Sequence, residues 1–143
     1  MNNKIFLAVD LGADSGRVMA GVYDGQRMSL REMARFPNGG VFLPDGWHWD
    51  LVRIYAEIRK GIAKARAAFG DDVVSVSVDT WGVDYGLLDE RGSLLGLPWT
   101  YRDRRTDGMM DAVAAEVPPD ELYHRPGIQP LFFNTLYQLV AEA

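Results

Sequence analysis

The chain has 143 residues, a net charge of −5 and 48% apolar residues, and it contains two histidines and no cysteine. This composition supports a folded core of single-domain size, and the acidic balance argues against a general nucleic-acid or membrane-surface role. Disulfides and thiolate metal sites are excluded, a zinc site is disfavoured, and no apolar run approaches the roughly 20 residues of a membrane span. We therefore expect a cytoplasmic protein.

The first third of the chain predicts three strands. Residues 4–11 form a nearly continuous apolar run, which is typical of a buried strand. Residues 17–24 alternate and predict a second strand, and residues 28–36 predict a third. Because only short connections separate them, they are expected to form an antiparallel meander.

Residues 37–50 are predicted to be a loop, because proline, glycine and asparagine supply turn residues. Asp50 is a plausible N-cap for a helix over residues 51–69, and Gly70 stands where a helix-ending glycine belongs. The helix carries a predicted core stripe that recurs at helical spacing: Leu51, Ile54, Tyr55, Ile58, Ile62, Ala65 and Phe69.

The second half of the chain mixes one strand, one hairpin and helices. Residues 73–79 alternate strictly and predict a strand. VDYGLLD and SLLGLP flank DERG and predict a hairpin. Helices are predicted over residues 107–117 and 120–124, and another from near Asn134. The order β-β-β-α-β, then a hairpin and helices, predicts an α/β fold with a mixed sheet.

The stretch DLGADSGR, residues 10–17, connects the first two predicted strands. Gly12 and Gly16 would let a ligand approach the backbone, whose N–H groups can converge on phosphate oxygens. Asp10 could hold Mg²⁺, which prefers oxygen ligands. Arg17 could add positive charge or pair with an acid across the sheet. An ordinary hairpin turn is the alternative, and neither a P-loop nor a dinucleotide fingerprint is present.

Two further segments carry polar and aromatic residues. In DTWGVD, residues 79–84, carboxylates could accept hydrogen bonds from sugar hydroxyls and the tryptophan could stack on a sugar face. The alternative is a strand end with a capping aspartate and a core tryptophan. WTYRDRR, residues 99–105, could face nucleic acid or be a solvated charge run. His48 is predicted to pack or to lie on the surface, not to act as a base.

Taken together, the three segments resemble FGGY carbohydrate kinases, which have the actin-like, ribonuclease-H-like ATPase fold. Their first phosphate loop reads D-x-G-x-x-S-x-R, which Asp10, Gly12, Ser15 and Arg17 match. Ala13 stands where many members have threonine, so one hydroxyl contact is missing.

Downstream segments make the resemblance more specific. They are DTWGVD, the aromatic-x-D-x-R pattern of Tyr101, Asp103 and Arg105, and GIQPLFFNTLYQL at residues 127–139. The resemblance covers essentially the whole chain.

The resemblance implies ATP and Mg²⁺ as cofactors, with Asp10 near the metal. It implies an ATP-binding loop made of Ala13, Asp14, Ser15, Gly16 and Arg17. It also implies a set of sugar-binding residues: Gly82, Trp81, Asp84, Tyr101, Arg102 and Asp103. The reaction would move the γ-phosphoryl group of ATP to the 1-hydroxyl of L-rhamnulose. The expected partners are this small sugar and ATP, with neither nucleic acid nor membrane.

In the family the catalytic base is an aspartate that lies beyond residue 143, so no residue of this chain is assigned that role. We expect residues 1–143 to be the N-terminal part of the first, truncated kinase lobe, inactive alone and prone to self-association through exposed apolar surface. Two alternatives remain open. One is another ketose or polyol kinase of the same family, and the other is a non-catalytic actin-like nucleotide-binding module.

Overall fold

A computed structural model describes residues 3–143 of the chain. Its strands and helices, in chain order, are β1 (Lys4–Leu11), β2 (Ser15–Tyr23), β3 (Met28–Pro37), β4 (Gly40–Leu43), β5 (Gly46–Trp49), α1 (Leu51–Phe69), β6 (Val73–Thr80), α2 (Met109–Glu116), α3 (Pro119–His124) and α4 (Thr135–Glu142). They fall into two compact units. The first comprises the chain up to Gly39 together with Asp50–Gly82, and the second comprises Gly40–Trp49 and Val83–Ala143.

The first unit is a four-stranded mixed sheet with one helix. The strand order is β3-β2-β1-β6. Strands β1, β2 and β3 pair antiparallel, and β6 pairs parallel to β1. The predicted meander and the β-β-β-α-β order are confirmed. Because side chains alternate along a strand, Ile5, Leu7 and Val9 of β1 all lie on the buried face.

Helix α1 has the predicted bounds and caps. The Asp50 carboxylate accepts a hydrogen bond from the N–H of Arg53 at 3.1 Å, which satisfies one of the free donors at the helix start. At the other end, Gly70 has φ of 57°, a left-handed conformation that glycine adopts without strain. The helix begins and ends where the sequence places its two signals.

The line of α1 that faces the sheet is narrower than the predicted stripe. Ile54, Gly61 and Ala65 are buried, whereas Leu51 and Tyr55 are 37% and 62% exposed. A Cβ at Gly61 would lie 2.4 Å from a methyl group of Val18. The helix therefore approaches the sheet closely at Gly61. Because the side of the helix that carries Gly61 faces the sheet, Tyr55 points towards solvent. The prediction of Leu51 and Tyr55 as core residues was wrong.

The second unit contains a hairpin that the sequence prediction missed. Strands β4 and β5 pair antiparallel, with Leu43 opposite Gly46, so the prediction of a loop over residues 37–50 was wrong. The predicted hairpin around DERG is reduced to a turn with one isolated bridge, between Leu88 and Leu94. Its strands do not form.

Helices α2, α3 and α4 confirm the three helices predicted for the C-terminal third. His48 of β5 is 5% exposed and stacks against Trp99, with ring centroids 4.0 Å apart. It is a packing histidine, one of the two roles predicted for it. Across residues 3–143, no helix is both long enough and apolar enough to cross a membrane.

Candidate functional site

The DLGADSGR stretch is a tight turn between β1 and β2. The N–H of Gly12 donates to the Ser15 carbonyl at 2.9 Å, which closes the turn around residues 13–14. The strands continue in register on both sides, with Leu11 opposite Gly16. The predicted ATP-binding residues therefore occupy the turn and the first three positions of β2.

Asp10 and Arg17 face each other across this hairpin. They are paired in the ladder, and their side chains form a salt bridge. Each side chain is about 40% exposed, and ion pairs this exposed contribute little to stability, about 0–1 kcal/mol. The structure thus shows Arg17 paired with an acid across the sheet, the second of the two roles considered for it.

Asp10 also has a carboxylate neighbour on its other side. Asp79 of β6 is its partner in the parallel ladder. Within the described residues no group of three or more His, Cys, Asp or Glu side chains could hold a metal ion. A half-exposed aspartate next to the predicted ATP-binding turn still fits Mg²⁺, which takes few protein ligands and completes its shell with water and phosphate oxygens.

Gly16 and Gly82 are glycines for different reasons. A Cβ at Gly16 would lie 2.3 Å from the Phe36 ring. Side-chain packing therefore requires a glycine at position 16, whereas the role predicted for it from the sequence was close approach of a ligand. At Gly82 nothing lies within 4 Å of a Cβ. The backbone at Gly82 is open, which is the condition that close ligand approach requires.

The first unit brings the β1–β2 turn and the Trp81–Gly82 segment to one end of the sheet. Strand β6 runs parallel to β1, with Thr80 opposite Leu11. The N–H of Trp81 then donates to the Leu11 carbonyl at 3.2 Å. Leu11 is followed directly by the turn. The register of β1 with its two neighbouring strands therefore sets the positions of Asp10, the turn and Gly82.

The remaining predicted sugar residues lie in the second unit, and Asp84 is the most constrained of them. Its Oδ2 accepts a hydrogen bond from Trp49 Nε1 at 2.6 Å. Its Oδ1 accepts one from Gln138 Nε2 at 3.0 Å. Both carboxylate oxygens therefore already accept hydrogen bonds from the protein.

Gln138 of α4 is the centre of this polar network and was not singled out by the sequence analysis. It is 1% exposed. Besides Asp84, its Nε2 reaches the carbonyls of Val83 and Phe133 at 3.2 and 3.1 Å. Its Oε1 accepts from Arg105 Nη2 at 2.9 Å. One amide thus connects α4, the residues after β6 and the predicted YRDRR segment.

Val83 has a strained backbone between Gly82 and Asp84. Its φ is 69°, and no other non-glycine residue in the described part of the chain has a positive φ. For a β-branched residue this conformation costs of order 1–3 kcal/mol. The Val83 carbonyl accepts from Thr135 Oγ1 at 2.6 Å as well as from Gln138. Helix α4 therefore holds the strained residue in place.

Asp103 serves the local backbone, while Tyr101 joins an aromatic cluster. Asp103 Oδ2 accepts from the N–H of Trp47 at 2.8 Å, and Oδ1 accepts from the N–H of Arg105 at 2.7 Å. The Tyr101 ring lies 6.4 Å from the Trp49 ring, and the Arg102 guanidinium lies 5.2 Å from the Tyr101 ring. Asp103 and Tyr101 therefore both contact the β5 strand.

Two cavities in the second unit are not lined by the predicted sugar residues. The larger, about 370 Å³, is mostly apolar and is lined by Val83, Leu122, Pro126, Ile128, Pro130, Asn134, Thr135, Leu136 and Tyr137. The smaller, about 280 Å³, is lined in part by Asp45, His48, Tyr85 and Glu142. In the smaller one, burial, and next the hydrogen bond to Glu142, raise the pKa of the Tyr85 hydroxyl.

Comparison with curated proteins finds clear relatives. The chain is 49% identical over 140 residues to the rhamnulokinase of Pectobacterium atrosepticum. The alignment covers 96% of this chain and 28% of that protein. It is 49% identical over 144 residues to the rhamnulokinase of Klebsiella pneumoniae, covering 99% of this chain and 29% of that protein. These rhamnulokinases are homologues of the chain, which spans a little over a quarter of their length. No family model matches the chain.

Solved structures with the same fold are carbohydrate kinases. Gluconate kinase from Lactobacillus acidophilus superposes with a TM-score of 0.79 at 12% identity, over 97% of this chain and 28% of that one. Xylulose kinase from the same organism superposes with a TM-score of 0.78 at 12% identity, over 96% and 28%. The actin-like ATPase fold of the FGGY kinases and the resemblance read from the sequence are both confirmed.

The two glycines give a first testable contrast. We expect Gly16→Ala to destabilise the chain by about 1–3 kcal/mol, because its Cβ would overpack against Phe36. Gly82→Ala should change stability by less than about 1 kcal/mol, since its Cβ meets only open space. Urea unfolding of the two variants beside the wild type measures this difference. Equal effects would contradict the packing role of Gly16.

Removing the Gln138 amide tests the polar network. We expect Gln138→Leu to lower the free energy of unfolding by roughly 2–4 kcal/mol, because Asp84, Arg105 and the Val83 carbonyl lose buried partners. Gln26→Leu, at an exposed turn position, is the matched control and should change it by less than about 0.5 kcal/mol. Urea unfolding measures both, and similar stabilities for the two variants would rule the network out as a stabilising element.

Proposed function

We propose that the full-length polypeptide is an ATP-dependent sugar kinase that transfers the γ-phosphoryl group to the 1-hydroxyl of L-rhamnulose. The observation that carries this proposal is the identity of about half of all residues with rhamnulokinases over nearly the entire chain. Because the chain spans only 28–29% of those relatives, the activity is proposed for the longer protein. A cytoplasmic location is proposed with it.

In this proposal the β1–β2 turn and the start of β2, which together are residues 13–17, receive ATP phosphates. Phosphoryl transfer asks the protein mainly for positioning and for compensation of phosphate charge. The turn offers backbone N–H donors, and Asp10 offers a carboxylate at its entrance. When Mg²⁺ is bound it offsets the charge of the phosphates, and Asp10 would hold it, directly or through water.

The sugar is proposed to bind beside Gly82. The open space at Gly82 supports close approach of a polyol to the backbone, and Trp81 can stack on a sugar face. Asp84 and Asp103 already accept hydrogen bonds from the protein. Their proposed contribution to sugar binding is therefore mainly to fix neighbouring groups. Tyr101 and Arg102 remain proposed contacts.

Two other functions are kept as alternatives. A kinase for another ketose or polyol is favoured by the structural match to gluconate and xylulose kinases. A non-catalytic actin-like nucleotide-binding module would use the same turn but would not need Gly82 or the aromatic pair of Trp49 and Tyr101. Dependence of ATP turnover on a sugar separates the two.

A substrate screen on the full-length protein tests the proposal. We expect L-rhamnulose to stimulate ATP turnover more than L-fuculose, L-ribulose, D-xylulose or glycerol does. Gly82→Ala should raise the KM for the sugar about tenfold or more, because the new methyl group enters the open space at the backbone, and it should leave the KM for ATP unchanged. A coupled ADP-release assay measures both constants. Turnover that is independent of every sugar would favour the nucleotide-binding module.

The 143-residue chain on its own is proposed to self-associate. Strand β6 is at one edge of the sheet, and its Val74, Val76 and Val78 are 52%, 53% and 62% exposed. An exposed apolar edge strand can pair with another chain. We expect light scattering to give a mass above 16.0 kDa at high concentration. A constant monomer mass across the concentration range would oppose the proposal.

A further inference from the structure

Asn38 lies directly after β3 and holds the β1–β2 turn from one side. Its backbone N–H donates to the Asp14 carbonyl at 2.9 Å. Its side-chain Nδ2 donates to the Gly12 carbonyl at 2.6 Å. The residue is completely buried. A single asparagine therefore fixes two carbonyls of the turn.

These two bonds also orient the N–H groups of the turn. In a trans peptide unit, the carbonyl and the N–H of the next residue point in opposite directions. Because the carbonyls of Gly12 and Asp14 point towards Asn38, the N–H groups of Ala13 and Ser15 point away from it. N–H groups that the turn presents on the side away from Asn38 can receive phosphate oxygens.

The buried Asn38 side chain leaves one of its polar atoms without a partner in the described part of the chain, and this shows which atom of the side chain the position requires. Its Oδ1 is buried and has no hydrogen-bond partner among the described residues, and such an orphan acceptor is unfavourable. Exchanging the oxygen and nitrogen would set Oδ1 against the Gly12 carbonyl, acceptor against acceptor. The position therefore requires the amide donor.

Arg53 in the first turn of α1 holds the backbone on both sides of Asn38. Its Nη1 donates to the Pro37 carbonyl at 2.8 Å, and its Nη2 donates to the Gly39 carbonyl at 3.1 Å. Asp50, the N-cap of the helix, lies 3.4 Å from the Arg53 Nε. The helix start, the segment after β3 and the turn thus form one connected set.

We propose that Asn38 is a positioning residue for nucleotide binding, which turns the N–H groups of Ala13 and Ser15 towards the phosphates, and that Arg53 supports it. The inference rests on the proposed phosphate-binding role of the turn. Asn38 itself does not touch the nucleotide in this proposal. Its removal should weaken nucleotide affinity selectively.

The first test is Asn38→Leu in the full-length protein, because leucine has a similar shape and no donor. We expect the Kd for ADP and the KM for ATP to rise about tenfold, the effect of losing one hydrogen bond from a turn N–H that no longer points at a phosphate oxygen. The KM for the sugar should stay within about twofold of the wild type. The control is Gln26→Leu, at an exposed position between β2 and β3, which should leave all three constants unchanged.

The second test is Asn38→Asp, measured as ADP affinity between about pH 8 and pH 5. A carboxylate cannot donate to the Gly12 carbonyl, but the protonated acid can. Burial favours the neutral, protonated form of such a carboxyl group, so lowering the pH restores the donor. The ratio of variant to wild-type Kd should therefore fall towards one as the pH falls.

Three results would overturn the proposal: unchanged ADP affinity in Asn38→Leu, equal weakening of ADP and sugar binding, or a Kd ratio for Asn38→Asp that does not change with pH. If Asn38→Leu does not fold, Asn38→Asp still decides, together with Arg53→Lys, which should weaken ADP binding in the same direction but less. A wild type that binds ADP yet shows no sugar-dependent turnover would refute the kinase proposal and still allow the Asn38 test.

Discussion

The double pairing of β1 is the constraint on which the first unit depends. This strand is hydrogen-bonded to β2 on one side and to β6 on the other. One register therefore places Arg17 and Asp79 on either side of Asp10. It also brings the β1–β2 turn and Gly82 to the same end of the sheet. A one-residue slip would move Ile5, Leu7 and Val9 out of the core and separate these segments.

Sequence patterns predicted the elements that have a clear period or clear caps. The strands β1, β2, β3 and β6 and helix α1 were found within two residues of their observed bounds. The β4–β5 hairpin was missed because its strands have four residues each, although PDG between apolar and aromatic residues is a hairpin signal. The DERG hairpin was overpredicted, since a good turn does not ensure that its flanks pair.

Local motifs led to the predicted site residues, and these assignments stay predictions. The contacts that distant side chains make around them could not be predicted from the sequence. Asp10, Gly12 and Gly82 stand within recognisable short patterns. Asn38 and Gln138 act on backbone groups 26 and 55 residues away, and no local pattern marks such a contact. The same holds for Asp84 and Asp103, whose acidic character suggested sugar contacts but whose oxygens accept hydrogen bonds from Trp49, Gln138 and the backbone of β5.

The close approach of Gly16 to the Phe36 ring links the composition of the β1–β2 turn region to that of the core. A larger residue at position 16 becomes possible only if a smaller one stands at position 36, so the two positions are free to change only together. Any redesign of the turn must therefore begin one strand away, on β3. Strand β3 also leads into Asn38. Through Phe36 it limits the side chain that fits at position 16, and through Asn38 it orients the carbonyls of the turn, although β3 contributes no residue to the turn.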